Sequence, residues 1–259
     1  MSELYKCSEY RIIRKKTLAE DIYSFTVLCP EVAAAARCGQ FVHIRVHGFT
    51  LRRPISICET DREKGTVRLV FVVKGHGTET LSRLNEGDML DMIAPLGNGF
   101  SVSSVPSGKR VLTIGGGIGV PPLLETAKQC EAVTAILGFR SYGNIILEDE
   151  FRKVCDKTLL CTDDGSVGEK ALVTIPLERE LSAGNVGAVF ACGPMRMLAA
   201  VAETTNRHGV FCEVSLEERM GCGVGACVGC VARIQRNGEE KLLRVCKDGP
   251  VFNAKEVLF

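Results

Sequence analysis

The chain has 259 residues, 46% of them hydrophobic and 24% charged, enough for two domains with a small appendage and a sizeable core. Its 32 basic and 31 acidic residues leave a net charge of +1, so there is no electrostatic case for nucleic acid or an anionic membrane as partner. No apolar run approaches the roughly eighteen residues of a bilayer span, and Met1 to Arg14 is polar, unlike a secretory leader. Thirteen cysteines, an odd number scattered through an ordinary composition, read as reduced thiols of a cytoplasmic protein rather than a disulfide framework; Cys7, Cys29, Cys130 and Cys192 are expected to be small hydrophobes.

Residues 1–102 read as β. Strands are expected at Tyr10–Ile13, Ile22–Val27, Phe41–Val46 and Thr66–Val73, at a spacing that suits an antiparallel barrel or sandwich. One helix interrupts them at about Glu79 to Leu84, with Thr78 as its cap. Leu51-Arg52-Arg53-Pro54-Ile55-Ser56 at a strand edge and Lys74-Gly75-His76-Gly77-Thr78 before the helix form a candidate diphosphate site, since a guanidinium fork and a glycine turn both suit phosphate. Alone they differ little from ordinary turns. Pro54 fixes the backbone that carries Arg53 and Ser56 toward one ligand, leaving Arg52 to solvent. His43 and His47 would lie about 13 Å apart on a strand and are not read as metal ligands.

After Val105-Pro106-Ser107-Gly108 the rhythm changes. Short strands at Arg110–Ile114, Val133–Gly138 and Val186–Ala191 alternate with helices from Pro121 to about Glu131 and from Met195 to Arg207, which indicates a parallel α/β sheet over 103–209. Gly115-Gly116-Gly117-Ile118-Gly119-Val120-Pro121-Pro122 follows a strand and opens a helix, the context in which backbone N–H groups meet a diphosphate. It departs from the dinucleotide fingerprint at Pro122 and lacks the Gly-Lys-Ser/Thr of a P-loop. A second turn, Cys192-Gly193-Pro194, lies at the same carboxyl edge, where open sheets bind ligands.

The last segment, 210–259, holds Cys222, Cys227, Cys230 and Cys246. The first three are spaced x4 and x2, as in plant-type [2Fe–2S] proteins. Glycines beside the ligands let the backbone fold around the cluster. Val231 to Gln235 alternate as a strand, Asn237-Gly238 is a hairpin turn, and Lys241 to Val245 read as the return, which brings Cys246 back to Cys230. The alternative is a structural zinc site with four cysteines.

These segments together resemble the ferredoxin–NADP reductase superfamily, and within it the electron-transfer subunits of class 1B dihydroorotate dehydrogenases. The resemblance covers essentially the whole chain. It is carried by Arg53-Pro54-Ile55-Ser56, Gly77-Thr78, Ala94 to Phe100, Gly115 to Pro122, Cys192-Gly193-Pro194 and, most specifically, Leu216 to Cys227. It implies a multi-domain β plus α/β fold: a flavin-binding β-barrel over 1–102, a nucleotide-binding parallel α/β domain over 103–209 and a small [2Fe–2S] domain over 210–259. It implies FAD at Arg53, Pro54, Ile55, Ser56, Val70, Phe71, Val72, Gly77 and Thr78, with Arg53 on the diphosphate and Ser56 near the reactive flavin edge. NAD is implied at Gly115, Gly116, Gly117, Gly119, Cys192, Gly193 and Pro194. Where the wider superfamily often has Tyr, this chain has Ile55, so stacking on the flavin must differ.

The resemblance further implies an electron relay. Dihydroorotate is oxidised at the FMN of a (β/α)8 catalytic partner, two copies of each chain assembling, and electrons pass through [2Fe–2S] and FAD to NAD in pyrimidine synthesis. No residue of this chain is expected to be catalytic for dihydroorotate. The alternatives are a diaphorase-type subunit of a hydrogenase, sulfide reductase or transhydrogenase, and a zinc-stabilised nucleotide-binding module that is not an enzyme. NAD is expected over NADP: Arg140 with Ser141 could hold a 2′-phosphate, but no second basic residue appears before Arg152.

Overall fold

The computed structural model describes residues 6–259; the first five residues of the polar opening Met1–Arg14 lie outside the described residues. Six strands close into an antiparallel barrel in the order β1-β2-β5-β4-β3-β6. They are β1 (Lys6–Ala19), β2 (Ile22–Leu28), β3 (Phe41–Ile44), β4 (Arg53–Asp61), β5 (Thr66–Val72) and β6 (Met89–Leu96), with a short helix α1 (Pro30–Ala35) between β2 and β3. Period-2 alternation sorts their side chains. Val42, Ile44, Leu69, Phe71 and Met92 fill the barrel, where Phe71 meets Phe25 edge-on at 5.1 Å. Phe41 points the other way, into a second core shared with the C-terminal segment.

Helix α2 (His76–Ser82) starts earlier than the sequence suggests, and Thr78 is not its N-cap. Gly75 holds that position. Thr78 sits three residues on, and its hydroxyl oxygen accepts the N–H groups of Lys74 at 2.9 Å and Gly75 at 3.3 Å. The threonine is therefore the returning half of a capping box.

A seven-stranded sheet follows, in the order β10-β9-β8-β7-β11-β12-β15. Its strands are β7 (Arg110–Gly116), β8 (Val133–Phe139), β9 (Lys157–Thr162), β10 (Glu169–Lys170), β11 (Val186–Cys192), β12 (Phe211–Ser215) and β15 (Val251–Asn253). The helices that cover it are α3 (Pro121–Lys128), α4 (Glu148–Val154), α5 (Thr174–Ser182) and α6 (Met195–Arg207). The central strands are nearly continuous apolar runs because both faces are covered. Helix α3 stops at Lys128 rather than near Glu131, since the carbonyl of Ala132 already accepts the N–H of Val111 as β8 approaches β7. Strands β12 and β15 both come from the segment that carries the cysteines: β12 runs parallel to β11 and β15 antiparallel to β12. Between them a hairpin, β13 (Val231–Arg236) and β14 (Glu239–Arg244), stands outside the sheet.

Three polar anchors fix the parts together. Asn98, just after β6, donates to the carbonyls of Val251 (2.9 Å) and Asp248 (3.3 Å) and accepts the N–H of Val251 (3.0 Å). Glu213 on β12 accepts the N–H and hydroxyl of Ser101, both at 2.8 Å. Glu125 on α3 accepts the N–H of Thr60 on β4 at 3.1 Å. Among the described residues, no helix is long and apolar enough to cross a membrane.

Candidate functional site: a cysteine loop against a flavin-type barrel

The four C-terminal cysteines come together in two pairs. Hairpin β13–β14 turns at Asn237 and Gly238, both with positive φ, which suits the Asn-Gly turn. Its register sets Val231 opposite Arg244, so the N–H of Val245 reaches the carbonyl of Cys230 at 2.7 Å and that of Cys246 reaches the Cys230 sulfur at 3.4 Å. In the loop, Cys222 Sγ accepts N–H groups from Val224 (3.4 Å), Ala226 (3.2 Å) and Cys227 (3.4 Å), and Cys246 Sγ accepts that of Gly225 at 3.1 Å. Burial is the largest influence on the Cys222 thiol and raises its pKa, but the N–H donors of Cys227, Val224 and Ala226, with the Cys227 thiol, outweigh it and hold the group at about 6. Cys246 is pushed up to about 12, by burial first and then by the adjoining Cys230 thiol.

Among the described residues no three His, Cys, Asp or Glu side chains converge on one ion position. Cys222 lies with Cys227 and Cys230 with Cys246, an arrangement in two pairs that suits a two-iron cluster, and backbone N–H groups already point at the sulfurs. The donor set fits [2Fe–2S]. Arg244 braces the loop from outside: it pairs with Asp248 at 2.8 Å and donates to the carbonyl of Gly225 at 2.9 Å, a support no spacing pattern announces.

All thirteen cysteines are free. Of those outside the loop, Cys29, Cys58 and Cys212 are buried, and burial pushes each thiol up to about 12, as inert small hydrophobes require. Cys7 differs from expectation. It is exposed, on the barrel's first strand.

On the barrel, β4 and the start of α2 bring Arg53 onto Gly77. The guanidinium lies where a Cβ on Gly77 would be and also over the Phe49 ring, 5.1 Å from its centroid. Any side chain at this position would displace the guanidinium from where it lies. Pro54, Ile55 and Ser56 are half-buried along β4. The segment's fit to a diphosphate rests on this guanidinium, which also donates to the Leu51 carbonyl, above a bare backbone turn. Arg52 does not reach solvent as expected: just before β4 begins, its side chain crosses β3, donating to the carbonyl of His43 at 3.3 Å, and reaches Asp91 on β6 at 2.8 Å. Along β5, Val70 and Val72 face the α/β domain, while the Phe71 side chain lies inside the barrel. Phe71 can offer a ligand only its backbone.

At the carboxyl edge of the sheet, Gly115 pairs with Cys192 across β7 and β11. A Cβ on Gly119 would overlap the Cys192 carbonyl, and one on Gly116 the Met197 sulfur and Pro194. The two glycine turns thus form one surface between β7 and β11, flanked by β8 and β12. Gly117 has φ +53 with open space around it, a backbone position free to meet a ligand. Beyond β8, Arg140 is exposed, and Ser141 bonds Asn144 at 3.0 Å.

One side chain that pattern reading set aside sits between these sites. His43, on β3 opposite Pro54, is buried against the cysteine loop. Burial is the main cause that holds its pKa down to about 4, so the ring is neutral near pH 7.

Residues 9–100 match the family described as oxidoreductase FAD-binding domain, and residues 217–258 the iron–sulfur cluster binding domain of dihydroorotate dehydrogenase B. The electron transfer subunit of dihydroorotate dehydrogenase B (NAD(+)) from Bacillus caldolyticus is 41% identical over 254 residues, 95% of this chain and 96% of that protein. Its counterpart in Streptococcus thermophilus is 40% identical over 253 residues, with the same coverage. Among solved structures, a chain of an NADH-dependent reduced ferredoxin–NADP oxidoreductase studied for flavin-based electron bifurcation superposes with TM-score 0.85 at 34% identity, covering 99% of this chain and 91% of its own. A ferredoxin NADP+ reductase from Neisseria gonorrhoeae, 17% identical with TM-score 0.66 over 80% of this chain and 92% of its own, shares the fold. With a flavin-type barrel, an α/β sheet with paired glycine turns and a four-cysteine loop in one chain, and relatives of this identity along nearly its whole length, the chain belongs to the family of dihydroorotate dehydrogenase B electron transfer subunits.

Proposed function

We propose that the chain is the NAD-linked electron-transfer subunit of a dihydroorotate dehydrogenase B. It would carry electrons from dihydroorotate oxidation at the FMN of a catalytic partner, by way of [2Fe–2S] and FAD, to NAD+ in cytoplasmic pyrimidine synthesis. The assembly is a heterotetramer, two of each chain. The observation that carries the reading is the two-pair cysteine loop seated on the flavin-type barrel. When bound, FAD supplies exchange between the hydride of nicotinamide and the single electrons of an iron–sulfur centre.

The residues divide this work. Cys222, Cys227, Cys230 and Cys246 hold the cluster. Arg53, with Gly77 and Thr78, binds the FAD diphosphate; Pro54, Ile55 and Ser56 line the isoalloxazine edge, and Val70, Phe71 and Val72 support it from β5. Gly115, Gly116, Gly117 and Gly119 with Cys192, Gly193 and Pro194 receive NAD. We divide the chain into units at 1–102, 103–209 and 210–259, the third lending β12 and β15 to the sheet of the second. The likeness to the electron-bifurcating oxidoreductase chain supports a second reading, a reductase subunit of transhydrogenase type. Purification from the native host separates the two. An FMN-containing dihydroorotate dehydrogenase that co-purifies supports the first reading, and a larger flavoprotein active with NADPH and ferredoxin supports the second.

A further inference from the structure

Among the described residues only four buried side-chain polar atoms lack a well-formed hydrogen bond, and two of them are the Nδ1 and Nε2 of His43, whose ring lies near the backbone of Cys222 and Arg52 without closing a bond of good geometry to either. The ring is 0% exposed. A neutral imidazole presents one N–H and one lone pair, and native interiors rarely leave both unsatisfied. If the position served packing alone, Phe or Leu would fill it with no polar atom to satisfy. The ring's surroundings indicate what it awaits. On one side β3 pairs with β4, with His43 opposite Pro54 of the flavin-type segment. Arg52, from the same strand edge, donates to the His43 carbonyl. On the other side lies Gly223, next in sequence to Cys222. Its φ is +74, and a Cβ there would overlap Nδ1. The loop has given up a side chain to bring its backbone onto the imidazole.

We propose that His43 is a positioning residue for the iron–sulfur cluster: its ring N–H donates to a sulfur of the bound cluster, and so ties the cysteine loop to the strand that pairs with the flavin-binding segment. The inference rests on the cluster reading above. A hydrogen bond to a cluster sulfur stabilises the more negative, reduced state and raises the potential. One residue would then set both where the cluster sits against the flavin and how readily it accepts an electron.

The test compares the wild-type chain with His43→Phe and His43→Asn, each purified with its cofactors. It measures iron and acid-labile sulfide per chain, FAD content, the electron paramagnetic resonance spectrum of the reduced cluster and its midpoint potential. His43→Phe is expected to keep its FAD and cluster but to show a lower potential and altered g values, and His43→Asn, which retains an N–H, to recover toward wild type. A fully loaded His43→Phe chain with wild-type spectrum and potential overturns the proposal. If His43→Phe assembles no cluster, His43→Asn decides: a restored cluster supports the hydrogen bond, and its absence there too reduces the residue to packing and overturns it. A wild-type chain without an iron–sulfur signal overturns the cluster reading itself, and this inference with it.

Discussion

The two adjacent arginines where β4 begins have separate jobs. Arg53 covers Gly77 and is the arginine we propose for the FAD diphosphate; Arg52 is tied to Asp91. Arg53→Ala should therefore weaken FAD binding by about 1.5–3 kcal/mol, the range for a hydrogen bond to a charged group. Arg52→Ala should leave flavin content near wild type and lower the melting temperature, because Asp91 loses its partner. Equal flavin loss in the two purified variants would sink the assignment. In the cysteine loop, replacing any one of Cys222, Cys227, Cys230 or Cys246 by Ser should abolish the cluster signal and spare most of the FAD; a Cys7→Ser or Cys130→Ser chain that lost its cluster would show the ligands misassigned. For the nucleotide, NADH should exceed NADPH in kcat/KM with an artificial acceptor. Arg140→Ala should leave NADH activity within a few-fold, and a preference for NADPH would contradict the NAD assignment. That the four cysteines meet was legible because the Asn-Gly hairpin returns Cys246 to Cys230 within a short stretch of chain; the Arg-Pro-Ile-Ser segment alone looks like an ordinary turn and was read as a flavin segment only through the family resemblance. Arg52's pairing and His43's burial were not legible, since both depend on β6 and on a loop about 180 residues away in the chain (223 − 43).

At the scale of elements, a buried carboxylate inside the α/β unit joins β7, β9 and α5. Glu180 on α5 is 8% exposed and pairs with Arg110 at 2.7 Å and Lys157 at 2.5 Å. Burial is the largest influence and raises its pKa, but Lys157 and Arg110 together bring the net shift below the ordinary glutamate value. A depressed folded pKa means the stabilisation is present above the unfolded value and is lost as pH falls through the folded one. Glu180→Gln should then cost about 1–3 kcal/mol at neutral pH, less than a fully buried pair because Arg110 and Lys157 are partly exposed. The melting-temperature gap from wild type should narrow as the solution is acidified below the ordinary glutamate range. A gap independent of pH would mean the loss is packing rather than charge. Helix α6 and the central strands were readable from periodicity, as was the Asn-Gly hairpin. The start of α2 was not, because a threonine followed by an acidic residue looks like an N-cap until its hydroxyl is seen reaching back to Lys74 and Gly75. Strands β12 and β15 carry no signal of their own membership: five and three residues long, they join the sheet only because α6 and the cysteine loop deliver them to its edge.

For the whole molecule, the packing of the cysteine segment on the barrel determines what the chain can do. Phe41 and Leu96 of the barrel share one core with Cys230, Ile234 and Cys246, and Asn98 bonds the segment that follows the cysteines. The cysteine segment and the barrel are therefore parts of a single packed body. The β-barrel followed by α/β order was visible in the change of strand rhythm near Val105. That the last segment also completes the α/β sheet was hidden, since sheet membership is a long-range property. The most direct test of the account is anaerobic turnover of this chain, loaded with its cofactors, together with the FMN-containing catalytic subunit from the same host, supplied with dihydroorotate and NAD+. The account predicts NADH formed one for one with dihydroorotate consumed, and none when this chain is omitted or carries Cys246→Ser. NADH formation that proceeds equally without this chain, or NAD+ left unreduced by the loaded pair while dihydroorotate is oxidised, would contradict it.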